Sequence, residues 1–262
     1  MDLQLTNKSA LISASTSGIG YSIARTLARE GCRVFVNGRD QGKTEAAADR
    51  IRSEVPGADA TPIAADLSTA EGAAQLFPQL PDVDILVNNL GIYEPVEFTD
   101  ADDALWRRFF EVNVLSGVRL TRHYLPGMIR RNWGRVVFIA SESAIQIPKE
   151  MIHYGMTKTA QIAISRGLAE SVAGTGVTIN SVLPGPTRTD GVEEFVAKVS
   201  GGNDFAAFEK TFFESVRPTS LTRRFAHPDE VAALTAFVAS PLASSTTGAA
   251  LRTEGGIVKS LV

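Results

Sequence analysis

Tyr154 and Lys158 lie four residues apart, and Ser141 lies 13 residues before Tyr154. On a helix that spacing puts the phenol and the ammonium on one face, a turn apart. A phenol, with a pKa near ~10, is a poor base alone. An ammonium held close favours the phenolate and lowers that pKa. A serine hydroxyl can hydrogen-bond an oxygen that gains negative charge. Together these residue types suit proton exchange with an alcohol or a carbonyl. A Tyr and a Lys four apart are also common on solvated helix faces, so the rest of the chain must decide.

A second group of residues points to a phosphate. An apolar run, Ser9-Ala-Leu-Ile-Ser13, leads through Ala14, Ser15, Thr16 and Ser17 to Gly18-Ile19-Gly20, where a helical pattern begins. A strand, a glycine loop and a helix in that order bring backbone N–H groups at a helix N-terminus to a pyrophosphate. The candidate contacts are Ser15, Ser17, Gly18, Ile19 and Gly20. After the second strand, an NAD site usually offers a carboxylate to the ribose 2′-OH. Here the order is Val36-Asn37-Gly38-Arg39, with no acid before Asp40. A guanidinium at that place suits a 2′-phosphate, which favours NADP(H) and leaves NAD(H) possible. Asp66 and Leu67 follow the third strand. Asp66 suits an adenine amino group there, or equally the cap of the next helix.

The elements that must hold these groups alternate along the chain. Apolar runs at 9–13, 33–36, 60–64, 84–88, 135–139, 177–182 and 249–252 read as strands. Between them, helical patterns cover 18–29, 40–54, 69–77, 101–131, 153–173 and 229–239. Pro126-Gly127 is expected to end or kink the long one. Seven strands alternating with helices predict an α/β fold: a Rossmann-like, doubly wound parallel sheet with helices on both faces. Residues 1–262 read as one dinucleotide-binding domain. The segment at about 187–226 breaks the rhythm with Phe-rich helical pieces and Ser200-Gly-Gly-Asn203, and reads as a substrate-lid insertion.

Composition narrows the classes. With 44% hydrophobic and 21% charged residues, the chain has the make-up of a soluble globular protein with a sizeable core. A net charge of −3 and a pI near 5.7 give no basic patch for nucleic acid, and no basic amphipathic helix marks a membrane surface. The single cysteine, Cys32, has no intrachain partner, and no leader or membrane-length apolar stretch is seen, so the cytoplasm is the expected compartment. No residue is assigned to a metal.

These landmarks together resemble the short-chain dehydrogenase/reductase family over essentially the whole chain. They are the glycine loop at 14–20, Asp66, Asn88-Asn89-Leu90-Gly91, Asn113 in Glu-Val-Asn-Val, Ser141 and Tyr154-x-x-x-Lys158. Asn180, Pro184-Gly185, Thr247-Gly248 and Glu254-Gly255-Gly256 complete the set. The resemblance implies an oxidoreductase moving a hydride between NADP(H) and a secondary alcohol/ketone pair. Tyr154 would be the general acid/base, and Lys158 would lower its pKa and hold the nicotinamide ribose. Ser141 would hold the substrate oxygen. Asn113 would lie in a helix kink and hold a relay water. Asn89 and Gly91 would flank the cofactor, and Pro184, Gly185, Thr187 and Thr189 would line the carboxamide. A homo-oligomer, commonly a tetramer in the family, is also implied. The chain departs from the family pattern at Ala14, Ser13, Leu90 and Glu254, and none of these removes a reacting group. Two other classes are considered: a module that senses NADP(H) without catalysis, which should lack part of the Ser–Tyr–Lys set, and an enzyme of another reaction type on the same scaffold, such as an enoyl reductase or an epimerase, against which the short Tyr-x-x-x-Lys spacing and the chain length speak.

The substrate, a small carbonyl or alcohol, is not readable. Ser143, Ile145, Ile147, His153, Tyr93, Glu94, Phe205, Phe208, Phe212 and Phe213 are pocket candidates. The phenylalanines read as the insertion's own packing face. Glu94 and Glu142 could favour a polar or cationic substrate, but read first as solvated or structural.

Overall fold

The computed structural model describes residues 1–199 and 205–261; Ser200-Gly-Gly-Asn203 falls outside them. Seven strands, β1 Ser9–Ile12, β2 Arg33–Gly38, β3 Ala60–Ala64, β4 Ile85–Asn88, β5 Gly134–Ile139, β6 Val177–Pro184 and β7 Ala250–Thr253, form one sheet. The strand order is β3-β2-β1-β4-β5-β6-β7, and every pairing is parallel. Alternate side chains feed opposite cores, as the strand period demands. Ile12, Ile85, Val87 and Val137 join the face covered by α1 Gly18–Arg29 and α9 Pro228–Val238. Leu11, Leu86, Val136 and Phe138 join the other face with Leu120, Tyr124 and Met128 of α5 Ser116–Arg130. Burial on both faces is why the inner strands β1, β4 and β5 carry continuous apolar stretches rather than alternating ones.

The winding reverses between β1 and β4, the place where open α/β sheets bind ligands at their carboxyl ends. The glycine loop leaves β1 there under a tight clamp. Ser13 Oγ accepts from the N–H groups of Asn89 (2.9 Å) and Leu90 (3.0 Å). Asn89 Nδ2 donates to the carbonyls of Ser13 and Ala14, and Asn37 Oδ1 accepts from the Ala14 N–H. The clamp holds Ala14 at φ 52°, a left-handed conformation in which its Cβ is crowded. Relief of about 1–2 kcal/mol of crowding should outweigh the ~0.4–1 kcal/mol that glycine's looser unfolded chain costs. Ala14→Gly is therefore expected to raise the melting temperature by about 1–3 °C. A fall of several degrees in a thermal scan would refute this account of the turn.

The long helical region is not one helix. It comprises α4 Asp103–Phe110, a π-helical turn at Glu111–Leu115, and α5. Of the two outcomes expected at Pro126-Gly127, the helix does not end there, because α5 runs through both residues. Proline forgoes one backbone hydrogen bond, and the surrounding Tyr124, Leu125 and Met128 anchor that turn in the core. The helix stops at Asn132, φ 52°. There the Trp133 and Asn132 N–H groups bond back to Met128 O and Ile129 O in a Schellman cap.

The remaining helices are α2 Gln41–Glu54, α3 Ala70–Leu76, α6 Ile152–Ser171, α7 Asp190–Val199 and α8 Phe205–Ser215. The excursion holding α7 and α8 is closed at its neck by the Arg188 N–H on Ala226 O and the Ala226 N–H on Pro186 O. Phe205, Phe208, Phe212 and Phe213 each pack a ring against Phe225, so this aromatic set forms the excursion's own packing face. Of the apolar C-terminus, Ile257 and Val258 are buried and Leu261 is exposed. No helix among the described residues is long and apolar enough to cross a membrane.

Candidate active site

Helix α6 presents Tyr154 and Lys158 on the face that meets the ends of β4 and β5. Lys158 is buried, with Nζ 5.7 Å from the centre of the Tyr154 ring. Its ammonium donates to Ile139 O (2.9 Å), at the end of β5, and to Gln161 Oε1 (3.2 Å). Gln161 Nε2 in turn donates to the Asn113 carbonyl (2.5 Å). Asn113 lies in the π-helical turn, fully buried. Its side chain accepts from Ile92 N–H (2.8 Å) and donates to Ile92 O and Thr157 Oγ1 (3.0 Å each). The Asn113 carbonyl thus accepts from Gln161, which links it to Lys158. Gly91 closes the group: a Cβ there would stand 3.3 Å from Lys158 Nζ.

Ser141 follows β5 in extended backbone, and its Oγ accepts from Ser143 N–H (3.1 Å). Ser141 Oγ donates to Glu142 Oε2 at 2.6 Å. Glu142 is not solvated: it is 4% exposed, and its other oxygen accepts from Arg217 Nε at 3.2 Å. Arg217 follows α8, is 9% exposed, and also reaches Glu150 at 3.7 Å. The site therefore contains a buried ion pair beside the serine.

Burial raises the Tyr154 pKa above that of a free phenol. The neighbouring Ser141 hydroxyl opposes this, and the Glu142 charge adds to it. The phenol is thus protonated at neutral pH in this state. Burial also lowers the Lys158 pKa to about 8, because an ammonium is costly to desolvate.

The glycine loop, Arg39 and the start of the excursion form the other end. Ser17 caps α1 without a side-chain hydrogen bond, and no acid occupies the first turn. Those helix N–H groups suit an anion. Gly18 has φ 56°, and Thr189 approaches it so closely that a Cβ would stand 3.3 Å from the Thr189 methyl. A Cβ on Gly20 would collide with Ala14 O and Asn89 Nδ2. Ile19 is half-buried beside them. Ser15 is turned inward, bonded to Ile12 O and Asn37 N–H. Arg39 is exposed and makes no hydrogen bond or ion pair with any described residue. Asp66 accepts from Ser68 N–H and Oγ, while Thr69 caps α3 and Leu67 is core. Pro184 ends β6, and Gly185 packs on the Glu254 backbone. Thr187 Oγ1 donates to Gly185 O.

Of the pocket candidates, Tyr93 stands at the mouth, 60% exposed, its ring 6.4 Å from that of Tyr154. His153 is buried against Phe109 and Trp106 with Nε2 on Glu94 O, a packing role. Ile145 and Ile147 are exposed nearby. Sequence reading missed Asn37, Gln161 and Arg217. Gln161 carries a usable signal, being three residues beyond Lys158 on the same helical face. Arg217 carries none, lying 75 residues from Glu142.

A doubly wound parallel sheet, a helix N-terminus open at the switch point and a Ser–Tyr–Lys group beside it define a nucleotide-dependent oxidoreductase class. The chain belongs to the short chain dehydrogenase family, whose model matches residues 8–200. It is 49% identical over the full length of both chains to the uncharacterized oxidoreductase YvaG of Bacillus subtilis strain 168. It is 33% identical to the D-beta-hydroxybutyrate dehydrogenase of Cupriavidus necator, over 97% of this chain and 99% of that one. The crystal structure of L-sorbose reductase from Gluconobacter frateurii, complexed with NADPH and L-sorbose, superposes with a TM-score of 0.93. That match is 29% identical and covers all of both chains.

Proposed function

We propose that this oxidoreductase interconverts a ketone and a secondary alcohol with NADP(H) as the hydride carrier. The observation that carries the reading is the convergence of Ser141, Tyr154 and Lys158 at the carboxyl ends of β4 and β5, beside the open N-terminus of α1. When bound, the cofactor supplies the hydride that reaches the carbonyl carbon. Ser17, Gly18, Ile19 and Gly20 would hold its pyrophosphate, and Arg39 its 2′-phosphate. Tyr154 donates its proton to the carbonyl oxygen as that oxygen gains charge, and Ser141 steadies it. Lys158 holds the nicotinamide ribose and restores the phenol proton, its position set by Ile139 O and Gln161. The excursion between β6 and α9 acts as the substrate lid.

A panel of ketones with NADPH and NADH, followed at 340 nm from about pH 6 to pH 10, tests the reading. Reduction should fall above about pH 8, as Lys158 loses its proton. The sign follows from charge, since only the ammonium favours a phenolate left after proton donation. A silent panel with both cofactors would refute the reductase reading.

A further inference from the structure

The buried ion pair beside Ser141 makes a demand on the substrate. A serine hydroxyl has one proton to donate, and a carboxylate can only accept. In this structure the proton of Ser141 is directed to Glu142 Oε2, at 2.6 Å. To steady a substrate oxygen, Ser141 must turn that proton away from Glu142. The carboxylate oxygen it leaves is buried, and the other oxygen is already held by Arg217. A charged acceptor left without a donor in that position is costly. A hydroxyl on the carbon next to the carbonyl would replace the donor. Its proton would go to Glu142 while the carbonyl oxygen takes those of Ser141 and Tyr154. An alkyl group at the same carbon would leave the acceptor bare. A carboxylate there could give that oxygen no proton.

We infer that the site selects ketones bearing a hydroxyl on the carbon adjacent to the carbonyl, with Glu142 as the specificity-determining acceptor. Arg217, brought in from beyond α8, is the residue that holds Glu142 in place. The inference rests on the reductase reading and names the substrate class of that same site.

Hydroxyacetone and butanone provide the test, since they share a carbon–carbonyl frame and differ by a hydroxyl against a methyl. With NADPH, kcat/KM for hydroxyacetone should exceed that for butanone by at least about tenfold, the cost of an unpaired buried acceptor. Glu142→Gln can offer an amide N–H to Ser141 Oγ and free its proton. In that variant the ratio should fall below about threefold, through a gain for butanone and a loss for hydroxyacetone. Calorimetric binding of both ketones to NADPH-saturated Tyr154→Phe protein supplies a readout without turnover, and the same order is expected. Equal handling of the two ketones by the native chain, or an unchanged ratio in Glu142→Gln, would overturn the inference. If Glu142→Gln does not fold, the native kinetic ratio and the binding ratio still decide. If no ketone is reduced with either cofactor, the reductase reading fails, while calorimetry still reports whether the hydroxyl is recognised.

Discussion

Tyr154→Phe is expected to lower kcat for ketone reduction by about 1,000-fold or more, with NADPH affinity within about threefold of the native value. Phenylalanine keeps the ring that Tyr93 meets edge-on and removes only the hydroxyl. Helix α6 should be undisturbed, because Lys158 is held by Ile139 O and Gln161 rather than by the phenol. Loss of the proton donor leaves the developing alkoxide to Ser141 alone. Ser141 cannot supply a proton as readily, for its own is shared with Glu142. The loss should appear in kcat more than in KM, the signature of an interaction made in the transition state. Single-turnover kinetics with fluorescence titration of NADPH separates the two quantities. Native-like turnover in this variant would remove Tyr154 from the chemistry.

Arg39→Asp should reverse cofactor preference, moving the NADPH/NADH ratio of kcat/KM by about 100- to 1,000-fold. Arg39 lies just beyond Gly38 at the end of β2, exposed and without a described partner, so no structural bond is lost with it. The variant loses charge-assisted bonds to a 2′-phosphate, each about 1.5–3 kcal/mol, and adds repulsion. It also places a carboxylate where NAD sites use one for the ribose 2′-OH. Parallel initial-rate measurements with both cofactors, at fixed ketone, check the outcome. A ratio that stays near the native value would show that Arg39 does not meet the phosphate.

The parallel sheet was legible because strands buried on both faces carry largely apolar runs, and β4, β5 and β6 are buried along their lengths, with Ile85-Leu-Val87 and Val136-Val-Phe-Ile139 as unbroken apolar stretches. Tyr154 and Lys158 were legible because a helix turns i and i+4 to one side. The π-helical turn at Asn113 was implied only by resemblance, since a slip from i+4 to i+5 bonding leaves no periodic mark in five residues. Pro126 misled for the opposite reason: its local cost is real, but the core contacts around it override it.

Sequence by itself thus determined the order of strands and helices, the glycine loop, the charge at Arg39 and the candidate reacting groups. Each of these follows from short-range spacing or from one residue's chemistry. Only the tertiary structure decided which groups meet from distant parts of the chain. Gln161 joins Lys158 to Asn113 because α6 packs against the π-helical turn. Glu142 is buried because Arg217 arrives from beyond α8 to neutralise it. An acidic residue reads as solvated until a partner is known, since an unpaired buried charge is too costly to expect. That partner is a matter of packing, and so is the demand it places on the substrate.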